Sequence, residues 1–250
     1  MWTYLLLFSG VAVVLIVFVR RVVLHLRKDA PEAPVEAPVE EIEREKKVRV
    51  SKDDKERAQE LCNRGEAMIK AGKDEEAIKC FVQALGLNKD HQETKHNLAM
   101  LYFKKQMFSA AAALFQDLGE ATKDPVHFSH LGLTLYKQND FDGAKKAYQS
   151  AVKLDNSRPQ RFVSLSQVYR SLGQVNNAII ALDKALGMEA ENLDFKFLMA
   201  DLHVEKGSLG SAKVHLEEIL VADAKDEEAK KMLRKVNKTM KELQGGESSL

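Results

Sequence analysis

The chain has 250 residues, 45% hydrophobic and 30% charged, with 38 Lys and Arg against 37 Asp and Glu for a formal net charge of +1. That composition excludes a wholly disordered chain, and the near-zero balance excludes the broadly basic surface by which many proteins hold nucleic acid. The 2 cysteines, Cys62 and Cys80, are too few for a disulfide framework or a four-cysteine zinc site and read as small reduced hydrophobes.

Residues 1–28 form the first predicted unit. Trp2 to Val19 carries no charge, and at about 1.5 Å per residue it spans roughly 27 Å, close to the hydrocarbon thickness of a bilayer. It reads as a transmembrane helix that meets the lipid bilayer through residues 2–19. Trp2 and Tyr4 suit one interface, while Arg20 and Arg21 can snorkel to the other. A secretory signal begins with positive charge and ends at small residues; this segment begins MWTY and ends FVRR, which argues against cleavage. Arg20, Arg21, Arg27 and Lys28 all follow the span, so the positive-inside rule predicts an outer amino terminus and a cytoplasmic remainder.

Residues 29–57 read as a spacer and a charged lead-in. Ala30 to Glu40, APEAPVEAPVE, has proline every few residues, which removes helix donors and favours an extended tether. Ser51 and Asp54 have capping-box spacing, predicting a helix start near Lys52.

From residue 58 the chain repeats. Ala77, Phe81 and Ala84 share their spacing with Ala111, Phe115 and Leu118, with Ala144, Tyr148 and Ala151, with Ala178, Leu182 and Ala185, and with Ala212, Leu216 and Ile219. The five leading alanines are 34, 33, 34 and 34 residues apart. Upstream of each lies a second pattern at helical spacing, such as Leu61, Gly65 and Met68, or Leu131, Gly132 and Leu135, so each unit is two helices. Gly72, Gly173 and Gly207 fall between the paired helices, with Gln106 and Asn139 at the same place in units two and three. The units run 58–91, 92–124, 125–158, 159–192 and 193–225. A capping helix is expected at 226–243, with Ala229, Met232, Leu233, Val236, Met240 and Leu243 as its apolar stripe, and a disordered tail at 244–250.

These residues resemble the tetratricopeptide repeat, with a small residue in helix A, a tyrosine or similar side chain one turn on, and the small–large–small pattern of helix B. The resemblance implies an all-α, right-handed α-α superhelix of five repeats. It departs from the family where tryptophan often opens helix A; Leu61, Lys95, Phe128, Phe162 and Lys196 stand there. The resemblance further implies that helices A line a concave groove for a protein or peptide. The matching positions include Asn63 and Glu66, then His96, Asn97, Met100 and Phe103, then Leu133 and Tyr136, then Gln167 and Arg170, and last Asp201. Some relatives clamp a chaperone's terminal carboxylate with basic residues on helices A. Here Cys62, Glu66, Val126 and His130 occupy those places and only Asn97 agrees, so no chaperone-tail clamp is expected.

Sharper chemistry finds no support. His127 and His130 lie one turn apart, yet no third ligand stands nearby at metal spacing. Nucleophile motifs and phosphate-cradling glycine loops are missing from the sequence, so neither a cofactor nor an enzymatic reaction is expected. The sequence reads as a membrane-anchored scaffold or adaptor with its repeats in the cytoplasm. An envelope-assembly protein working outside the membrane and a regulatory subunit of a membrane enzyme are the other readings.

Overall fold

The computed structural model describes residues 50–247. The anchor residues Trp2, Tyr4, Arg20 and Arg21, with most of the spacer, lie outside the described residues. Eleven helices and no strand make up residues 50–247. They pair as α1 (Lys52–Lys70) with α2 (Asp74–Leu87), α3 (Gln92–Lys104) with α4 (Phe108–Thr122), and α5 (Pro125–Lys137) with α6 (Phe141–Leu154). Then come α7 (Pro159–Ser171) with α8 (Val175–Met188), α9 (Leu193–Glu205) with α10 (Leu209–Ala222), and a final α11 (Glu227–Glu247). Each helix packs on the next in chain order, which makes the array an all-helical solenoid. The first helix is capped by Ser51, whose hydroxyl accepts from the Asp54 amide at 3.0 Å. Helix α11 runs past Leu243 to Glu247, beyond the end of its apolar stripe.

Within each hairpin a small residue of the first helix faces a large one sixteen positions later. A Cβ on Gly65 would come 2.5 Å from the Phe81 ring, and one on Gly132 would come 2.7 Å from the Tyr148 ring. Ala99 meets Phe115, and Ala200 meets Leu216, inside shared clusters of buried residues. Close approach of two helices requires the missing side chain, and the aromatic or leucine then fills the space it leaves. In unit four Ser166 holds the small position, and its buried hydroxyl donates to the Ala178 carbonyl at 2.8 Å.

The position where relatives often carry tryptophan is filled in a second way. Lys95 is only 14% exposed along its side chain and pairs with Asp117; Lys196, 13% exposed, reaches Glu218 at 3.4 Å. Phe162 lies under Lys184, whose Nζ is 5.7 Å from the ring centre. In all three units the partner stands twenty-two residues on, on the second helix of the same hairpin. A lysine stem covers apolar surface as an indole would, while its ammonium finds an acid at the edge.

All five turns inside the hairpins use one backbone geometry. Gly72, Gln106, Asn139, Gly173 and Gly207 have φ of 74°, 61°, 62°, 70° and 81°. The following amide returns to a carbonyl five residues back each time, as in Met107 N to Tyr102 O at 2.8 Å. Only glycine takes that φ without steric cost. Gln106→Gly is therefore expected to raise the unfolding free energy by about 0.5–1 kcal/mol, read as a higher urea midpoint at unchanged slope.

Candidate functional site

The first helices of the hairpins, α1, α3, α5, α7 and α9, carry the residues that the sequence singles out. Asn63 and Gln167 are exposed, Met100 is 39% exposed and Leu133 is 37% exposed. Glu66, His96, Asn97, Phe103, Tyr136, Arg170 and Asp201 are half-buried. Several of these residues connect one repeat to the next. The Asn97 amide donates to Glu66 at 2.8 Å, and the Asn63 carbonyl oxygen accepts from Gln59 at 3.1 Å. Ser171 donates to the Tyr136 hydroxyl at 3.1 Å. Arg170 grips Asp201 at 2.7 Å and Glu205 at 2.6 Å. Phe103 leans on Phe108, and Tyr136 on Phe141, with ring centres 5.5 and 5.4 Å apart. Thus Asn97, Arg170 and Asp201 bridge neighbouring repeats, while Asn63, Met100, Leu133 and Gln167 stand exposed.

Between α5 and α7 this face sinks into a cavity of about 340 Å³, lined by Val126, Ser129, His130, Leu133, Tyr148, Arg158, Gln160, Arg161 and Ser164. Arg161 is the one buried charged residue in units one to five among the described residues. Its Nη1 donates to the Asp155 carbonyl at 2.8 Å and to the Asp155 carboxylate at 2.5 Å, and its Nε donates to Ser129 at 3.3 Å. Tyr148 forms part of the lining; burial raises its phenol pKa, and a bond with Ser164 opposes that shift. A smaller cavity of about 250 Å³ opens between α6 and α8, beside Phe162, Tyr169 and Ile180. No sequence motif marks Arg161. The available signal is register, since it stands where other units hold the buried Thr94 and Phe195.

His127 and His130 are joined by His96 from the preceding repeat. Ring centres are 5.5 Å apart for His96 and His127, and 5.8 Å for His96 and His130, which stacks on Phe115 at 5.1 Å. Their nitrogens do not converge as metal ligands would. The donor group that does converge among the described residues is Cys62, His91 and Glu93, with one ligand atom from each within 4.8 Å of the others. Its donors are already engaged: His91 takes the Thr94 amide at 3.2 Å and meets Gln59 at 2.9 Å, and Gln59 donates to Glu93 at 3.0 Å. Burial pushes the Cys62 thiol pKa up, so it keeps its proton. The second cysteine, Cys80, is 7% exposed.

Burial, and then the neighbouring imidazoles, hold the pKa of His130 below its ordinary value; His127 is lowered chiefly by burial too, with Asp124 opposing. Protons then bind the unfolded chain more readily than the folded one, so these groups withdraw stability as pH falls below about 6.5. His130→Phe is expected to flatten that decline between about pH 6.5 and 5, measured by urea unfolding across the range.

Tetratricopeptide-repeat family models match residues 58–91, 130–186 and 169–236. Solved structures share the fold at low identity. The crystal structure of MamA protein has a TM-score of 0.64 at 18% identity, covering 69% of this chain and 95% of that one. MamA from residue 41 to its end, from Desulfovibrio magneticus RS-1, gives 0.62 at 16% identity and covers 68% and 97%. The structure of YrrB, described as a TPR protein with an unusual peptide-binding site, gives 0.59 at 17% identity and covers 68% and 88%. No curated protein matches the sequence significantly. The recurring small–large hairpins, the shared turns and the matching family models together make this chain a tetratricopeptide-repeat protein.

Proposed function

We propose that the protein is a membrane-anchored adaptor whose first-helix face binds a partner protein or peptide on the cytoplasmic side. The observation that carries the binding role is the bridged face itself. Repeats locked by Asn97–Glu66 and Arg170–Asp201 present exposed Met100 and Leu133 beside a cavity large enough for a partner's side chain. A preorganised surface loses little entropy on binding, which suits docking rather than catalysis. The peptide-binding site named for YrrB lies on a similar fold and supports the same reading.

The membrane part of the reading rests on Trp2 to Val19 and on the positive charges after it. No helix among the described residues is long and apolar enough to cross a membrane, so residues 2–19 supply the only span proposed. Anchoring confines the partner search to the membrane surface and raises its effective concentration there.

Met100→Asp with Leu133→Asp tests the face, since both side chains stand partly in solvent. Photocrosslinking from Asn63 and Gln167 in native membranes should capture one chain, and the double substitution should reduce that capture about tenfold while leaving the thermal midpoint within a few degrees of the parent. Capture unchanged by the substitutions would place the site elsewhere. Topology needs an added cysteine, because Cys62 and Cys80 are buried. A cysteine at exposed Gln116 should be labelled only after permeabilisation; labelling in intact cells would put the repeats outside.

A further inference from the structure

Helix α11 closes the array with its apolar side. Ala229 and Val236 are buried, and Met232, Leu233 and Met240 pack on the same cluster as Leu216 and Ile219. The opposite side is cationic. At about 100° per residue, Lys231, Arg234, Lys235, Lys238 and Lys241 fall within an arc of roughly 120°, and they span about 15 Å along the axis. All five are exposed. From Ala229 to Lys241 there are 6 cations and no acid, and taking those six from the net +1 leaves −5 for the rest of the chain.

Some exposed cations elsewhere are matched along their own helix, as in Lys52 with Glu56, Arg57 with Asp53 and Lys213 with Glu217. On α11 only Lys238 has such a partner on this face, Glu242 at 3.8 Å. Lys231, Arg234, Lys235 and Lys241 form no salt bridge or side-chain hydrogen bond among the described residues. Self-repulsion of this kind weakens a helix, and it is relieved when a surface of opposite charge lies against it.

We propose that this face of α11 docks on a plane of anionic lipid headgroups, an inference that rests on the membrane-anchored reading. The row runs along the helix axis and is not gathered around one point, which suits an extended surface better than a single anion. Lysine predominates; its flexible point charge suits a field of headgroups better than the fixed fork of arginine suits one of them. No aromatic residue is present on α11 to stack a base, which argues against nucleic acid.

The full chain, purified in detergent and reconstituted into phosphatidylcholine vesicles with or without about 30 mol% phosphatidylglycerol, provides the test by lysine acetylation and mass spectrometry. Labelling of Lys231, Lys235, Lys238 and Lys241 is expected to fall about threefold in the anionic vesicles and to recover at high salt, while Lys79 and Lys146 stay unchanged. Equal labelling in both vesicles overturns the proposal. Flotation with pure phosphatidylcholine vesicles reports the anchor separately. Should the chain fail to float there, the anchored reading falls, and flotation with anionic vesicles alone, abolished by glutamine at the four lysines, would still establish the α11 contact.

Discussion

Phe115→Ala is expected to lower the unfolding free energy by about 3–5 kcal/mol, the largest stability loss of any single substitution considered for this chain. The ring is 1% exposed and sits among Ala99, Ala111, Leu118 and Leu131, so its removal leaves a hole that backbone on both sides prevents from closing. It also takes away the surface on which His130 stacks from the next repeat. Since stability in a stacked array is mostly a sum over neighbours, the loss is not spread evenly. Hydrogen exchange should show residues 92–137 opening first, and urea unfolding should broaden as units one and two separate from the rest. A sharp single transition at the parental midpoint would contradict the packing described.

Arg161→Ala is expected to cost about 2–3 kcal/mol at neutral pH. It strips the guanidinium from Asp155, frees Ser129, and widens the cavity between α5 and α7. The pH dependence distinguishes this loss from simple cavity formation. Bonding to Arg161 first, and then to the Ser157 hydroxyl and amide, holds the Asp155 carboxyl well below the usual carboxylate range. A carboxylate depressed in the folded state stabilises above the unfolded value of about 3.9 and loses that contribution as pH falls below it. The gap between parent and variant should therefore narrow from pH 7 toward pH 3 in urea titrations. The double variant Arg161→Met with Asp155→Asn should be milder than the single one, because neither charge is then left without its partner. A gap independent of pH would mean that Arg161 acts through its stem alone.

The repeats were legible because their physics is local. Ala77, Phe81 and Ala84 recur with their spacing intact wherever two helices must touch, and the small–large exchange of Gly132 with Tyr148 is written into the residue sizes. The turn at Gln106 was half legible, since its place was set by its neighbours although its residue gave no sign of positive φ. What the sequence could not show are contacts that depend on how one repeat is set against the next. Arg170 and Asp201 both read as groove residues, yet nothing in their spacing says that they hold each other. His96 lies thirty-one residues before His127, and only stacking brings the rings together. Arg161 was obscured by its type, because a cation in the first turn of a helix reads as solvent-facing until register with Thr94 and Phe195 shows it pointing inward.

The two thiols have a bearing on where such a protein can operate. Cys62 is fully enclosed and retains its proton, and Cys80 is almost as well shielded, so disulfide-forming enzymes find no accessible thiol on the folded array. The described array draws on no disulfide. As far as its thiols are concerned, the same fold would hold its form in a reducing compartment or an oxidising one.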